Sequence, residues 1–139
     1  MLLELRGVSV SYDTDEVLHG ISLQVDNGET VTLIGANGAG KTSCLRAVSG
    51  LVGLSSGEVW FDGERIDTVT PRRRVEMGLV HVPEGKRLFP RMTVRENLEM
   101  GGFLRNDAIS VRGDLEAMFE RFPILRSRQK QHAGSLSGG

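Results

Sequence analysis

The sequence predicts an α/β fold, and three observations point to it. A short, β-branched and almost uniformly apolar run lies at residues 29–35, as expected of a strand buried on both faces of a parallel sheet. A glycine-rich loop follows at once and opens a stretch with helical apolar spacing. Upstream of both, two segments with near-alternating apolar residues read as an antiparallel meander.

Taken in order, Leu3, Leu5, Val8 and Val10 mark a half-buried strand. Residues 13–16 are polar and turn-like. Leu18, Ile21, Leu23 and Val25 mark a second strand, closed by the Asp26-Asn27-Gly28 turn. Beyond the 29–35 strand and its loop, a helix is predicted from about residue 41 to 51, with Leu45, Val48 and Leu51 on one face. Residues 58–61 read as a strand and Asp62-Gly63 as a turn. Pro71 starts a helix, and residues 79–82 form another short apolar strand. Thr93 and Glu96 make a capping box that opens a helix carrying Val94 and Leu98. A later helix spaces Leu115, Met118, Phe119 and Phe122 at i, i+3, i+4 and i+7, with Pro123 after it. The runs Arg72-Arg73-Arg74 and 126–130 are expected to be solvated helix faces.

Bulk properties exclude several classes. The 139 residues amount to about one domain. Lys plus Arg, 17, nearly balance Asp plus Glu, 18, for a net charge of -1. A nucleic-acid partner is therefore not expected. The single cysteine, Cys44, excludes an internal disulfide and fits a reducing compartment. His19, His81 and His132 have no Cys or carboxylate at metal-ligand spacing. No stretch approaches the ~18 apolar residues of a membrane span, and the N-terminus is unlike a signal peptide. The chain is expected in the cytoplasm, with any membrane role supplied by a partner.

The strongest motif is Gly35-Ala36-Asn37-Gly38-Ala39-Gly40-Lys41-Thr42, followed by Ser43. It satisfies G-x-x-x-x-G-K-[ST], with the strand before and the helix after that its mechanism requires. A loop wrapped around a phosphate turns successive backbone N–H groups inward. Glycine permits the close approach and the positive φ angles. The helix that follows aims its free N–H groups and its dipole at the anion. Lys41 can reach β- and γ-phosphates, and the Thr42 hydroxyl can ligate Mg²⁺.

With three further features, residues 2–139 resemble the ATP-binding cassette (ABC) ATPases. Tyr12 stands where that family stacks an aromatic ring on adenine. Leu136-Ser137-Gly138-Gly139 matches the start of the family's signature motif, which binds the γ-phosphate of ATP held by the opposite subunit. Val82-Pro83-Glu84-Gly85-Lys86-Arg87-Leu88-Phe89 occupies the loop where most members carry a glutamine that contacts Mg²⁺ and the attacking water; here the matching residue is Glu84. This run, the phosphate loop and the segment from Arg91-Met92-Thr93-Val94 to Met100-Gly101-Gly102-Phe103 are similar to one subgroup. It is the second ATPase subunit of bacterial branched-chain amino-acid importers, with urea and short-chain amide importers as near relatives.

The resemblance implies an ABC-type P-loop NTPase core: a parallel sheet with helices, an N-terminal antiparallel β-subdomain and the start of a helical subdomain. Residues 1–83 would hold the β-subdomain and P-loop core, and 84–139 the loop and helical subdomain. It implies ATP and Mg²⁺ as cofactors, a second ATPase subunit, transmembrane permease subunits and, indirectly, a periplasmic binding protein. The chain would sit on the inner face of the cell membrane. The family's Mg²⁺-binding aspartate, catalytic glutamate and γ-phosphate-sensing histidine follow the signature and are not found in these residues. The fold is therefore expected to be incomplete: an N-terminal fragment, marginal in isolation and a poor ATPase alone, with Glu84 the one candidate for water contact. An ABC ATPase working without a transporter and a non-catalytic nucleotide-binding remnant are the alternatives.

Overall fold

The computed structural model describes residues 1–85 and 87–136. The chain forms two compact units, Met1–Val82 and Pro83–Gly139.

In the first unit, β1 (Leu3–Tyr12), β2 (Asp15–Val25), β3 (Ser56–Phe61) and β4 (Glu64–Arg65) form one sheet in the order β2-β1-β3-β4. Every neighbouring pair is antiparallel. The β1–β2 hairpin turns at Asp13, whose φ is 51°. Its register pairs Leu3 with Val25, Leu5 with Leu23 and Tyr12 with Asp15, and shifts between Leu5 and Val8. Gly7 sits in that bulge with φ 57°. The extra residue explains why Leu5 and Val8, three apart, both point inward at 1% and 0% exposure, where strict alternation would separate them. Gly57 packs so close that a Cβ on it would lie 2.3 Å from the Gly7 carbonyl oxygen.

Helix α1 (Lys41–Val48) buries Cys44, Ala47 and Val48 in one core with Leu5, Val8, Val10, Leu18, Val59 and Ile66. The sequence puts Leu45, Val48 and Leu51 on the inner face, but Leu45 and Leu51 are 48% and 60% exposed. The buried stripe runs instead through smaller residues at i, i+3 and i+4. Gly50 at φ 73° follows the end of the helix.

Two expected strands do not form. Residues 29–35 and 79–82 carry no ladder pairing. Val31 and Ile34 are 42% and 92% exposed, and Val80 and Val82 are 69% and 86% exposed. β-propensity is realised only against cross-strand neighbours and covered faces, and no described strand pairs with either run. Of these residues, Leu79 alone packs against the core. The parallel part of the expected sheet is therefore absent among the described residues, while the antiparallel part is present in full.

Helix α2 (Pro71–Glu76) starts on Thr70, whose hydroxyl accepts from the Arg73 N–H. Arg72 and Arg73 are solvated, as expected, but Arg74 is 2% exposed. Its guanidinium is drawn inward by five main-chain oxygens, none adjacent to it in sequence.

The second unit holds α3 (Val94–Met100), α4 (Ala108–Arg121), α5 (Pro123–Ser127) and a 3-10 turn at Ala133–Ser135. The capping box forms: Thr93 accepts from the Glu96 N–H, and Glu96 accepts from the Thr93 N–H. On α4, Leu115 and Phe119 are buried, whereas Met118 and Phe122 are 39% and 46% exposed. Phe122 ends the helix with φ -128°, so it leaves the stripe its spacing suggests.

Candidate functional site: a phosphate loop

Residues 35–40 lead from the unpaired segment into α1. Gly38 and Gly40 take φ of 87° and 83°, the left-handed region that a β-carbon disfavours. Gly40 is the N-cap and makes no side-chain cap. The first-turn N–H groups of α1 therefore have no intrahelical partner, and the helix dipole adds partial positive charge there. The loop is braced from below. A Cβ on Gly40 would lie 2.6 Å from Leu18 Cδ2 and 2.8 Å from the Val17 carbonyl oxygen. Leu18 and Val17 on β2 thus carry the loop, a role that motif reading does not reveal.

Lys41 folds back over its own loop. Its Nζ donates to the carbonyls of Gly35 and Ala36, both at 2.7 Å. The ammonium is thereby held against the start of the loop that Lys41 itself closes. Ala39 N–H donates to Ala36 O at 3.2 Å and tightens the turn. Asn37 is exposed on the same turn, Thr42 is exposed on the first turn of α1, and Ser43 is half-buried. Tyr12, 39% exposed, ends β1 beside α1. The Ser43 hydroxyl, and then Arg46, lower the pKa of its phenol.

The arrangement fits a phosphorylated ligand with Mg²⁺. Among the described residues no group of three or more His, Cys, Asp or Glu could hold a metal. An ion at Thr42 would take most of its ligands from phosphate and water, the usual Mg²⁺ arrangement.

In the second unit, Glu84 lies exposed in a bend before residues 87–93. That loop is held by Asn97, whose side chain donates to the carbonyls of Phe89 (3.1 Å), Met92 (3.4 Å) and Thr93 (2.9 Å) and accepts from the Phe89 N–H (2.9 Å). The first N–H groups of α3 donate to residues far along the chain: Val94 to Gln131 O at 2.9 Å and Arg95 to Gln129 O at 3.0 Å. His132 Nδ1 meets Arg91 O at 2.8 Å. The approach to Leu136 is therefore knitted to the loop after Glu84. Of the signature residues, Leu136 follows the 3-10 turn; Ser137, Gly138 and Gly139 lie outside the described residues, as does Lys86 of the preceding run.

A glycine loop with left-handed glycines, opening a helix behind a lysine, defines a phosphate-binding domain of the P-loop class. The ABC transporter family model matches residues 18–139, and the chain belongs to that family. Over 138 residues it is 40% identical to the high-affinity branched-chain amino acid transport ATP-binding protein BraG of Pseudomonas aeruginosa, covering 99% of this chain and 59% of BraG. It is 30% identical to a probable branched-chain amino acid transport ATP-binding protein, LivF, of Archaeoglobus fulgidus, covering 99% of this chain and 58% of that relative. Other relatives are named as alpha-glucoside and spermidine/putrescine ATP-binding proteins. A solved ATP-binding subunit of an ABC transporter superposes with a TM-score of 0.78 at 28% identity, over 99% of this chain and 56% of that one. The chain thus spans a little over half the length of BraG, LivF and the solved subunit, and 37% and 36% of the alpha-glucoside and spermidine/putrescine relatives. No helix among the described residues is long and apolar enough to cross a membrane.

Proposed function

We propose that this chain is the nucleotide-binding part of an ATP-driven importer subunit for branched-chain amino acids. The observation that carries the reading is the braced loop at residues 35–42, with its left-handed glycines and the open N-terminus of α1. The 40% identity to BraG supports the solute class. A related urea or amide importer is the nearest alternative.

The loop N–H groups and Lys41 bind the β- and γ-phosphates, Lys41 exchanging its two loop carbonyls for phosphate oxygens. The Thr42 hydroxyl would hold Mg²⁺, Ser43 would support the phosphate end and Tyr12 would stack on adenine. Residues 136–139 serve the nucleotide of a second ATPase subunit. ATP turnover, permease docking at the inner face of the membrane and coupling to a binding protein belong to the whole cassette. Within the whole cassette, Glu84 would offer an oxygen ligand and a negative charge where the family carries glutamine.

The test is fluorescent ATP titration with Mg²⁺ on the chain and on Lys41→Ala. Saturable binding that weakens at least about tenfold in the variant is expected; equal affinities would remove Lys41 from the site. Uptake of labelled leucine, urea and maltose by cells carrying the whole transporter would then settle the solute.

A further inference from the structure

Arg74 is unlike its neighbours. The side chains of Arg72 and Arg73 are 75% and 63% exposed, whereas Arg74 is 2% exposed. All five guanidinium N–H donors are used, and all end on main-chain oxygens. Nε donates to Val69 at 3.0 Å, Nη1 to Ala47 at 2.8 Å and Val48 at 2.7 Å, and Nη2 to Ile66 at 2.5 Å and Asp67 at 3.2 Å. Burial lowers the Arg74 pKa, and the Asp67 carboxylate opposes that shift. A buried cation without a hydrogen-bonded carboxylate is costly, so this density of acceptors is what keeps it in place.

Two of those acceptors, Ala47 and Val48, are the last residues of α1. Both carbonyls lie in the last turn, at the negative end of the helix dipole; Ala47 O also accepts from the Gly50 N–H at 3.1 Å, so Arg74 adds to the cap that the chain itself supplies there. The other three come from the connection between β4 and α2. The cation therefore ties one end of α1 to a separate part of the first unit, while the other end of the same helix opens on the phosphate loop. Eight residues span only about 12 Å, so a slip at one end is felt at the other. Gly40 rests on Leu18 and Val17, and Cys44 and Ala47 lie on the sheet. Those contacts seat the N-terminus and one face of α1, and Arg74 holds its C-terminal carbonyls.

We propose that Arg74 is a positioning residue for nucleotide binding: by clamping the C-terminal carbonyls of α1 it sets where the N–H groups of the phosphate loop stand. The proposal rests on the nucleotide-binding reading above. Gly50 offers a second, independent handle. It has φ +73°, and a Cβ there would lie 2.8 Å from Arg74 Nε and 2.9 Å from Cζ.

The experiment compares Arg74→Lys, Gly50→Ala and Leu3→Ala in the full chain. Lysine keeps the charge but has three donors in place of a planar fork. Leu3 packs at the end of β1 opposite Tyr12, pairing with Val25 and Phe61, and serves as a control for general destabilisation. Two readouts are taken under conditions where each variant is folded by circular dichroism: Kd for Mg-ATP and amide hydrogen exchange. Arg74→Lys and Gly50→Ala are expected to raise Kd about five- to tenfold and to speed exchange selectively at residues 44–51. Leu3→Ala should speed exchange in β1 and β2 and leave Kd within about twofold. If both test variants shift Kd no more than Leu3→Ala does, the proposal is overturned. If the unaltered chain binds no ATP, the nucleotide reading falls; unchanged α1 exchange in Arg74→Lys would then overturn the clamp as well.

Discussion

Gly40→Ala tests whether the phosphate loop is braced by β2. Two costs add. Placing an L-residue at φ +83° costs about 1–2 kcal/mol. The new methyl would also sit 2.6 Å from Leu18 Cδ2 and 2.8 Å from the Val17 carbonyl oxygen. Leu18 is 3% exposed and pairs with Val10 in the sheet register, so neither neighbour has room to retreat. Overpacking of this kind costs about 1–3 kcal/mol. The sum is about 2–5 kcal/mol, offset by about 0.4–1 kcal/mol from the stiffer unfolded chain. Gly38→Ala is the matched reference. Its φ is +87°, yet nothing lies within 4 Å of a Cβ there, so it carries the backbone cost alone. Urea unfolding followed by circular dichroism, extrapolated to water, should place Gly40→Ala about 1–3 kcal/mol below Gly38→Ala. Agreement of the two within about 0.5 kcal/mol would show that β2 does not carry the loop.

Two further outcomes concern the second unit. Asn97→Ala removes four hydrogen bonds to residues 89–93, a loss of about 1–3 kcal/mol for that loop; tryptic cleavage after Arg87 or Arg91 should quicken about tenfold, and an unchanged rate would mean that the loop is held by other contacts. The Asp107 carboxyl is held at about 2, well below its ordinary 3.8, by the Arg105 guanidinium first and then Ser110. Because its folded pKa lies below its unfolded one, the stabilisation is complete above about pH 4 and is lost as pH falls through about 2. An NMR titration of the Asp107 carboxyl should have its midpoint near 2, moving up toward the ordinary value in Arg105→Gln; a midpoint at 3.8 or above in the unaltered chain would remove the ion pair.

The elements that were legible in the sequence are those whose cause is local. The capping box at Thr93 and Glu96 closes within one helical turn. The β1–β2 hairpin follows from its own apolar spacing and turn. Even there, the Gly7 bulge was hidden, because one inserted residue changes which face Leu5 and Val8 share without changing the composition. The run at 29–35 failed for the opposite reason. Its β-branched residues need pairing partners and covered faces that the described residues do not provide, so the same residues that predict a buried strand leave Ile34 92% exposed.

The phosphate loop shows the same division. Its glycines could be read directly, because positive φ at 38 and 40 is a property of single residues. What carries and aims the loop could not be read. Leu18 and Val17 look like ordinary strand residues, and Arg74 looks like the third member of a solvated basic run. Five oxygens distributed from Ala47 to Val69 draw Arg74 inward, and that convergence exists only after β4, α1 and α2 have packed. A motif therefore identifies the groups that would touch phosphate, whereas the affinity they deliver depends on residues at both ends of one short helix that no motif contains.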